Sequence, residues 1–435
     1  MENVGTFCYL VTKLKHYYNN HQSIVRFPSD VSPNPWQPRF GQQRLSSRML
    51  KSIESPPNYN RLESIDIVRG LIMIIMALDH VRDFFSYTAY RPDDVTQASV
   101  LLFFTRWITH LCAPTFIFLS GISIYLYFKK VDSLKKTTVF LLTRGLWLIA
   151  MEILVVSFIL TQGYQLTLLA VIWAIGCSMI LLAGLVWFPR WLQIALSLAM
   201  IAGHNALPML EKVSSDNMLF AFLHNSPFFI NEPPILVAYT IVPWVGVMLL
   251  GYVMGAWFFY PPQTRDKLLL RTGIFALVLF FVLRFLNLYG DPSPWSIQER
   301  GGIYTVLSFF RVSKSPPSLL FLCVTLGIAC LLLVQAERIS AGAKKILSTY
   351  GRVPLFYFIA HLAIVSFTSY LWTYFSFGKG VNLSFMSAKD WPAEYHPSLL
   401  RTYFVWLLLI GALYFPCRWY GDYKAKNKTW WGSYL

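Results

Sequence analysis

The sequence predicts an all-α, polytopic membrane protein of about ten transmembrane helices, and three observations carry that expectation. Only 13% of the 435 residues are charged, about half the ~25% of an ordinary soluble domain. A soluble surface could not be covered with so few charges. The apolar residues, 55% of the chain, run on in blocks such as ILVVSFILTQGYQLTLLAVIWAIGCSMILLAGLVWF, and about 20 such residues cross a bilayer core. They do not alternate as the strands of a membrane barrel would. The excess of basic residues, a net charge of +16, is distributed in a way that orients such a bundle.

The predicted spans lie at 62–86, 99–128, 137–160, 165–187, 191–209, 235–260, 267–289, 318–335, 353–375 and 399–417. An even number places both termini on one side. Segments on that side hold 24 of the 37 Lys and Arg residues, the opposite loops hold 8, and Arg69, Arg82, Arg106, Arg144 and Arg284 lie within spans. Under the positive-inside rule both termini are cytoplasmic. The surplus charge is therefore topological and predicts no nucleic-acid partner. Residues 1–60 are polar, basic and proline-bearing, with no cleavable apolar segment. They read as a poorly ordered cytoplasmic lead-in, and Met49 is an alternative start. The membrane domain covers 61–420, and 421–435 form a short basic cytoplasmic tail. The six cysteines (8, 112, 177, 323, 330 and 417) form no CxxC pair and read as small core hydrophobes. Gly251 and Gly255 in GYVMG make a small-xxx-small face that predicts close helix packing.

Ionisable residues inside a bilayer are costly and mark functional candidates. In the first span, SIDIVRGLIMIIMALDHVRDFF, the residues Asp66, Arg69, Met73, Met76, His80 and Asp83 fall within about one third of the helix circumference. Asp66 and Arg69 pair at i,i+3, either to bind an anionic ligand or simply to end the helix at the cytoplasmic interface. His80 stands among Asp79, Arg82 and Asp83, either as a reactive imidazole or as a packing histidine. The second span sets Arg106 and His110 one turn apart, ahead of Pro114, which loosens a helix and frees a carbonyl. The ninth places Tyr357 and His361 at i,i+4. Arg284, Glu152 and the pair His204-Asn205 complete the set. A histidine in such a position serves as a general base or as an acyl-carrying nucleophile, and a pair of histidines serves as haem ligands. A zinc site is not expected, because no compact cluster of three or four ligands occurs. A solute transporter with a charged path is the alternative from a different functional class.

Taken together, RLESIDIVRGLIMIIMALDHVRDFF with THLCAPTFIFLSGIS, followed by VPWVGVMLLGYVMG and YGRVPLFYFIAHLAI, resembles bacterial relatives of heparan-alpha-glucosaminide N-acetyltransferase, over residues 61 to about 417. The resemblance implies a transmembrane acyltransferase bundle in the bacterial cytoplasmic membrane. It implies acetyl-CoA as cytoplasmic co-substrate, no metal, and an amino sugar or cell-envelope glycan as acceptor on the far side; a homodimer is left open. Carried onto this chain, it implies His80, Asp79 and His110 as catalytic candidates and Arg69 with Asp66 as the CoA-phosphate side. Asp83, Arg106, Tyr357, His361 and Arg284 become pocket candidates, with Asp79 or Asp83 orienting His80. One departure stands out. The family's lysosomal enzyme has asparagine at the position of His80 and its catalytic histidine eleven residues on, where this chain has Arg91; the loop 81–98 has no histidine. Retained chemistry would therefore fall to His80 or His110.

Overall fold

A computed structural model describes residues 62–206, 218–224 and 227–427; the segment 1–60 and the alternative start at Met49 lie outside the described residues. The helices are α1 (Glu63–Phe85), α2 (Val100–Thr109), α3 (Cys112–Val131), α4 (Leu134–Met151), α5 (Ser157–Thr161), α6 (Val171–Leu185), α7 (Arg190–Ala202) and α8 (Met218–Leu223). They continue with α9 (Val242–Met254), α10 (Pro262–Leu286), α11 (Gly302–Phe310), α12 (Leu319–Gln335), α13 (Ala341–Gly351), α14 (Pro354–Phe377) and α15 (Leu399–Lys426). A small sheet, not anticipated from sequence, pairs β1 (Thr167–Leu169) in parallel with β3 (Ile235–Val237), which pairs antiparallel with β2 (Phe228–Ile230).

Every predicted span overlaps a helix, although 165–187 and 235–260 open on strands β1 and β3. Among the described residues, six helical stretches are long and apolar enough to cross a membrane: Val100–Val131, Leu134–Thr161, Val242–Phe259, Pro262–Leu286, Pro354–Phe377 and Leu399–Lys426. The expected ten is therefore not reached on these criteria, for physical reasons. Helix α7, of 13 residues, is only about 20 Å long at 1.5 Å per residue, short of a ~30 Å core. Helices α6 and α12 are apolar but also short. Helix α1 is long enough, at 23 residues, but too charged to face lipid. Its solution is burial in protein: α3, α13, α14 and α15 pack around it, and Asp66, Met73, Met76, Val81 and Arg82 on it are all buried.

Two helix crossings fix this arrangement, and both depend on glycine. A Cβ added at Gly70 of α1 would overlap the Leu347 carbonyl of α13, and one at Gly351 would overlap the Asp66 carbonyl. At the α3–α9 crossing, Gly121 and Gly251 meet the carbonyls of Met248 and Phe118 in the same way, while a Cβ on Gly255 would stand 2.5 Å from Cβ of Tyr125. The small-xxx-small face of GYVMG is thus a packing surface. Pro114 also has the expected effect. It offers no N–H to the carbonyl four residues back, that of His110, and the second span breaks there into α2 and α3, at His110–Leu111. Pro416, by contrast, sits inside α15 without ending it, so the helix runs on to Lys426 and takes in much of what reads from sequence as a tail.

The five described cysteines are free and buried, as core hydrophobes are. Glu152 begins a π-helical turn, Glu152–Val156, and its carboxylate accepts the N–H groups of Ala170 (3.3 Å) and Trp173 (3.1 Å). It caps the N-terminus of α6, where the helix dipole favours negative charge. Gly351→Val should lower the thermal unfolding midpoint by several degrees, since forcing a branched side chain against backbone costs about 1–3 kcal/mol or more. Gly411→Ala, where a Cβ meets nothing within 4 Å, should leave the midpoint unchanged in the same fluorescence-detected melt.

Candidate active site

Helix α1 lines three adjacent cavities in succession, and its length from Arg69 to Asp83 is about 21 Å at 1.5 Å per residue. The first, about 260 Å³, is largely apolar and is lined by Arg69, Met73, Met76, Phe116, Ser120, Ser123, Arg144 and Phe358, among others. The second holds only about 50 Å³ and is lined by Met76, Asp79, His80, Thr109, Phe116, Val171, Tyr239 and Lys314, among others. The third, about 600 Å³, is polar, with Arg82, Asp83, Arg91, Asp93, Arg106, His110 and Lys314 in its wall. Met76, Phe116 and Val171 are common to the first two cavities, and Lys314 to the last two. A 50 Å³ space accommodates a few small groups, a single water needing about 10–15 Å³. His80 therefore sits in a constriction between a larger apolar space and a larger polar one.

At the apolar end, the Arg69 guanidinium donates to Asp66 Oδ1 (3.2 Å), to the Gly351 carbonyl (3.2 Å) and to Ser123 Oγ (3.0 Å). The Asp66–Arg69 pair is thus built into the α1–α13 crossing, while Arg69 also faces the first cavity. Arg144, from α4, lies in the same wall. As an intramembrane arginine it was identifiable from sequence, but nothing in the sequence placed it beside Arg69.

At the polar end, Asp79 is the centre of a charge cluster. Its Oδ2 lies 2.5 Å from Arg106 Nη1 and its Oδ1 lies 2.9 Å from Arg82 Nη2, and Thr109 Oγ1 donates to Oδ1 at 3.0 Å. Arg82 also meets Asp83 at 2.6 Å. Neither carboxylate orients His80, contrary to expectation. The hydrogen bond goes instead to His361: His80 Nδ1 and His361 Nε2 are 2.7 Å apart, across 281 residues of sequence. His361 Nδ1 is 2.9 Å from the Tyr357 carbonyl. A carbonyl only accepts, so His361 Nδ1 carries the proton and, in the neutral ring, its Nε2 accepts. His80 then donates from Nδ1, which leaves the lone pair on its Nε2. That is the tautomer a general base or a nucleophile requires. Tyr357, fully buried, stacks on His361 with centroids 5.1 Å apart, and Phe358 packs edge-on to His80 at 6.3 Å.

His110 is brought to the third cavity and not to His80's hydrogen bond. It is 4% exposed, packs edge-on against Phe321 at 5.4 Å, and its Nδ1 has no hydrogen-bond partner among the described residues. Asp93, in the loop after α1, is partly buried, which would raise its carboxyl. Two hydrogen bonds from Arg91, at 3.0 and 2.9 Å, outweigh that and hold it below the usual carboxylate range. Arg284 is not brought to the cavities at all. It is 1% exposed and donates to the carbonyls of Phe309, Ser293, Ser308 and Arg311, within 3.9 Å of Asp291, so it binds the end of α11 to α10. At the end of α7, His204 Nδ1 lies 3.3 Å from His224 Nε2, and Asn205 accepts the Leu319 N–H. Lys314, Tyr239 and Thr109 are lining residues that sequence reasoning passed over. Lys314 lies in the loop SKSPP and counted only towards topology.

The cluster predicts a large stability effect. Asp79→Ala leaves Arg82 and Arg106 without their shared carboxylate in a poorly solvated setting, and removing one partner of a buried pair costs about 3–5 kcal/mol. The variant should unfold at a clearly lower temperature in detergent; a midpoint equal to that of the unaltered protein would show that the cluster does not support the fold.

No curated protein matches the chain. The family model described as heparan-alpha-glucosaminide N-acetyltransferase, catalytic, matches residues 61–287, which takes in α1 to α10 and both His80 and His110. The later motif with Tyr357 and His361 lies beyond the match, so the resemblance there rests on its own residues. With just over half of the chain matched and a bundle of apolar helices around the charged α1, the protein belongs to the heparan-alpha-glucosaminide N-acetyltransferase catalytic-domain family of transmembrane acetyltransferases.

Proposed function

We propose that the protein transfers an acetyl group from acetyl-CoA to the amine of an amino sugar or cell-envelope glycan across the bacterial cytoplasmic membrane. The observation that carries this reading is His80, held in one tautomer by His361 within a 50 Å³ chamber between a larger apolar cavity and a larger polar one. The donor takes the first cavity. There Arg69 and Arg144 supply cationic groups for CoA phosphates, and Met73, Met76 and Phe358 supply apolar contacts for the acyl arm. The positive-inside census supports a cytoplasmic position for that end. The acceptor takes the polar cavity on the far side.

His80 Nε2 accepts the proton of the acceptor amine as nitrogen attacks the thioester carbonyl, and the proton then leaves with the thiolate. In the alternative order, Nε2 attacks the thioester first and expels the CoA thiolate; the acceptor amine then takes the acetyl group, and Nε2, freed as the carbon–nitrogen bond breaks, accepts the amine's proton. The lone pair and the His361 hydrogen bond serve both orders. The chamber's size limits water, which would otherwise hydrolyse an activated acetyl group. Asp79 contributes by fixing Arg82 and Arg106 around the chamber rather than by moving a proton.

A solute transporter is the second reading, since cavities in series along a charged helix also suit a substrate path. Solute flux in proteoliposomes without acetyl-CoA, with no CoA released in the presence of amino sugars, would favour it.

His80→Ala should lower kcat for CoA release by about 10²–10⁴, the usual contribution of a general base, with an unchanged melting temperature. Full activity in that variant overturns the assignment. His361→Ala should lower kcat while leaving KM for acetyl-CoA unaltered, because it acts through the His80 tautomer and not on the donor. A pre-steady-state burst of CoA without acceptor distinguishes the acetyl-histidine order from direct transfer.

A further inference from the structure

The wall of the polar chamber is nearly neutral by pairing. Arg82 is matched by Asp79 and Asp83, Arg106 by Asp79, and Arg91 by Asp93. Lys314 is the exception. Among the described residues its ammonium has no carboxylate within 4 Å and no hydrogen bond, since Asp79, the buried carboxylate its charge acts on, is already paired with Arg82 and Arg106. It rests 5.6 Å from the centroid of the Tyr239 ring. It also lines the small chamber that holds His80. A second group in the polar wall is unsatisfied as well: Nδ1 of His110, a side chain 96% buried, has no partner among the described residues. Burying a polar nitrogen without a hydrogen bond costs about 1–3 kcal/mol, and a cation beside a low-dielectric wall favours an opposite charge.

We propose that Lys314 and His110 form the acceptor-recognition site, and that the acceptor carries an anionic group, a carboxylate or a phosphate, close to its reactive amine. The inference rests on the transferase reading of the same cavities. An ammonium is a compact point charge that suits either anion without demanding a planar fork, and His110 supplies a hydrogen bond to a sugar hydroxyl. Because Lys314 is common to both chambers, an anion held on it brings a neighbouring amine towards His80. Lys314 is then a specificity residue and takes no part in the proton transfer.

The test is equilibrium binding to the full-length protein in detergent, without acetyl-CoA, of three probes: glucosamine, glucosamine 6-phosphate, and a glucosamine–hexuronic acid disaccharide. One or both anionic probes should bind about tenfold to a hundredfold more tightly than glucosamine, as a charge-assisted hydrogen bond of ~1.5–3 kcal/mol requires. The probe preferred identifies phosphate or carboxylate as the anion. Lys314→Gln should abolish the preference, Lys314→Arg should keep most of it, and His110→Ala should weaken all three probes alike. Equal affinities in the unaltered protein, or an undiminished preference in Lys314→Gln with an unchanged melting temperature, overturn the proposal. CoA release is measured separately with each probe. A protein that binds the anionic sugars selectively but never releases CoA refutes the transferase reading and supports the recognition site. One that releases CoA equally well with all three refutes the recognition site alone.

Discussion

One carboxylate holds the centre of this protein together. Asp79 accepts from Arg106 at 2.5 Å, from Arg82 at 2.9 Å and from Thr109 at 3.0 Å, and so ties α1 to α2 at the depth of His80. Charged groups in a bilayer interior are tolerated only when paired within protein. That constraint explains the architecture around α1. A helix bearing Asp66, Arg69, Asp79, Arg82 and Asp83 cannot face lipid, so other helices surround it. The glycine crossings at Gly70–Gly351 and Gly121–Gly251 bring those helices close enough to exclude solvent. Packing follows from the charges, and the cavities remain where the packed helices do not close on α1.

The charges divide the molecule functionally as well. Arg69 is engaged with Asp66, Gly351 and Ser123 at one end of α1, and the Asp79 cluster occupies the other. Between them lie Met73 and Met76, flexible thioethers that adapt to irregular space. Apolar lining at one end, polar lining at the other and a single imidazole between them suit a reaction whose donor carries an acyl arm and whose acceptor is a hydrated sugar. On the proposed transferase reading, α1 lines both the donor and the acceptor compartments.

Much of this was legible in sequence, and the rest was hidden for identifiable reasons. Helical periodicity aligned Asp66, Arg69, Met73, Met76 and His80 on one face, and the structure places all but Asp66 in the walls of the cavities. Pro114 announced the break at His110, because a missing N–H acts at a fixed distance of four residues. What periodicity cannot give is the partner on another helix. Asp79 and Asp83 were the nearest ionisable neighbours of His80 along the chain, but both are taken by arginines, and His361 reaches His80 from 281 residues away. Arg284 looked like a pocket residue because it is an arginine in a span, yet its donors are spent on carbonyls at the end of α11. Lys314 was invisible for the opposite reason: a lysine in a proline-bearing loop reads as solvated unless the loop is known to fold over a cavity.

The partner of His80 has a chemical consequence. A carboxylate in its place would raise the basicity of His80 and stabilise an imidazolium, as in serine-protease triads. It would also add another buried negative charge beside Asp79, and would compete for Lys314, the cation in that chamber's wall that is proposed to hold the acceptor. His361 fixes the tautomer by hydrogen bonding alone and adds no charge. The resulting His80 is oriented by a neutral partner, with no carboxylate bonded to it to stabilise an imidazolium. The arrangement suits a step in which the amine arrives as free base and the proton moves late, as the nitrogen–carbon bond forms. It suits equally an attack by Nε2 itself, for which orientation counts for more than basicity. A neutral dyad at this depth is therefore the solution that the crowding of charge around Asp79 leaves open.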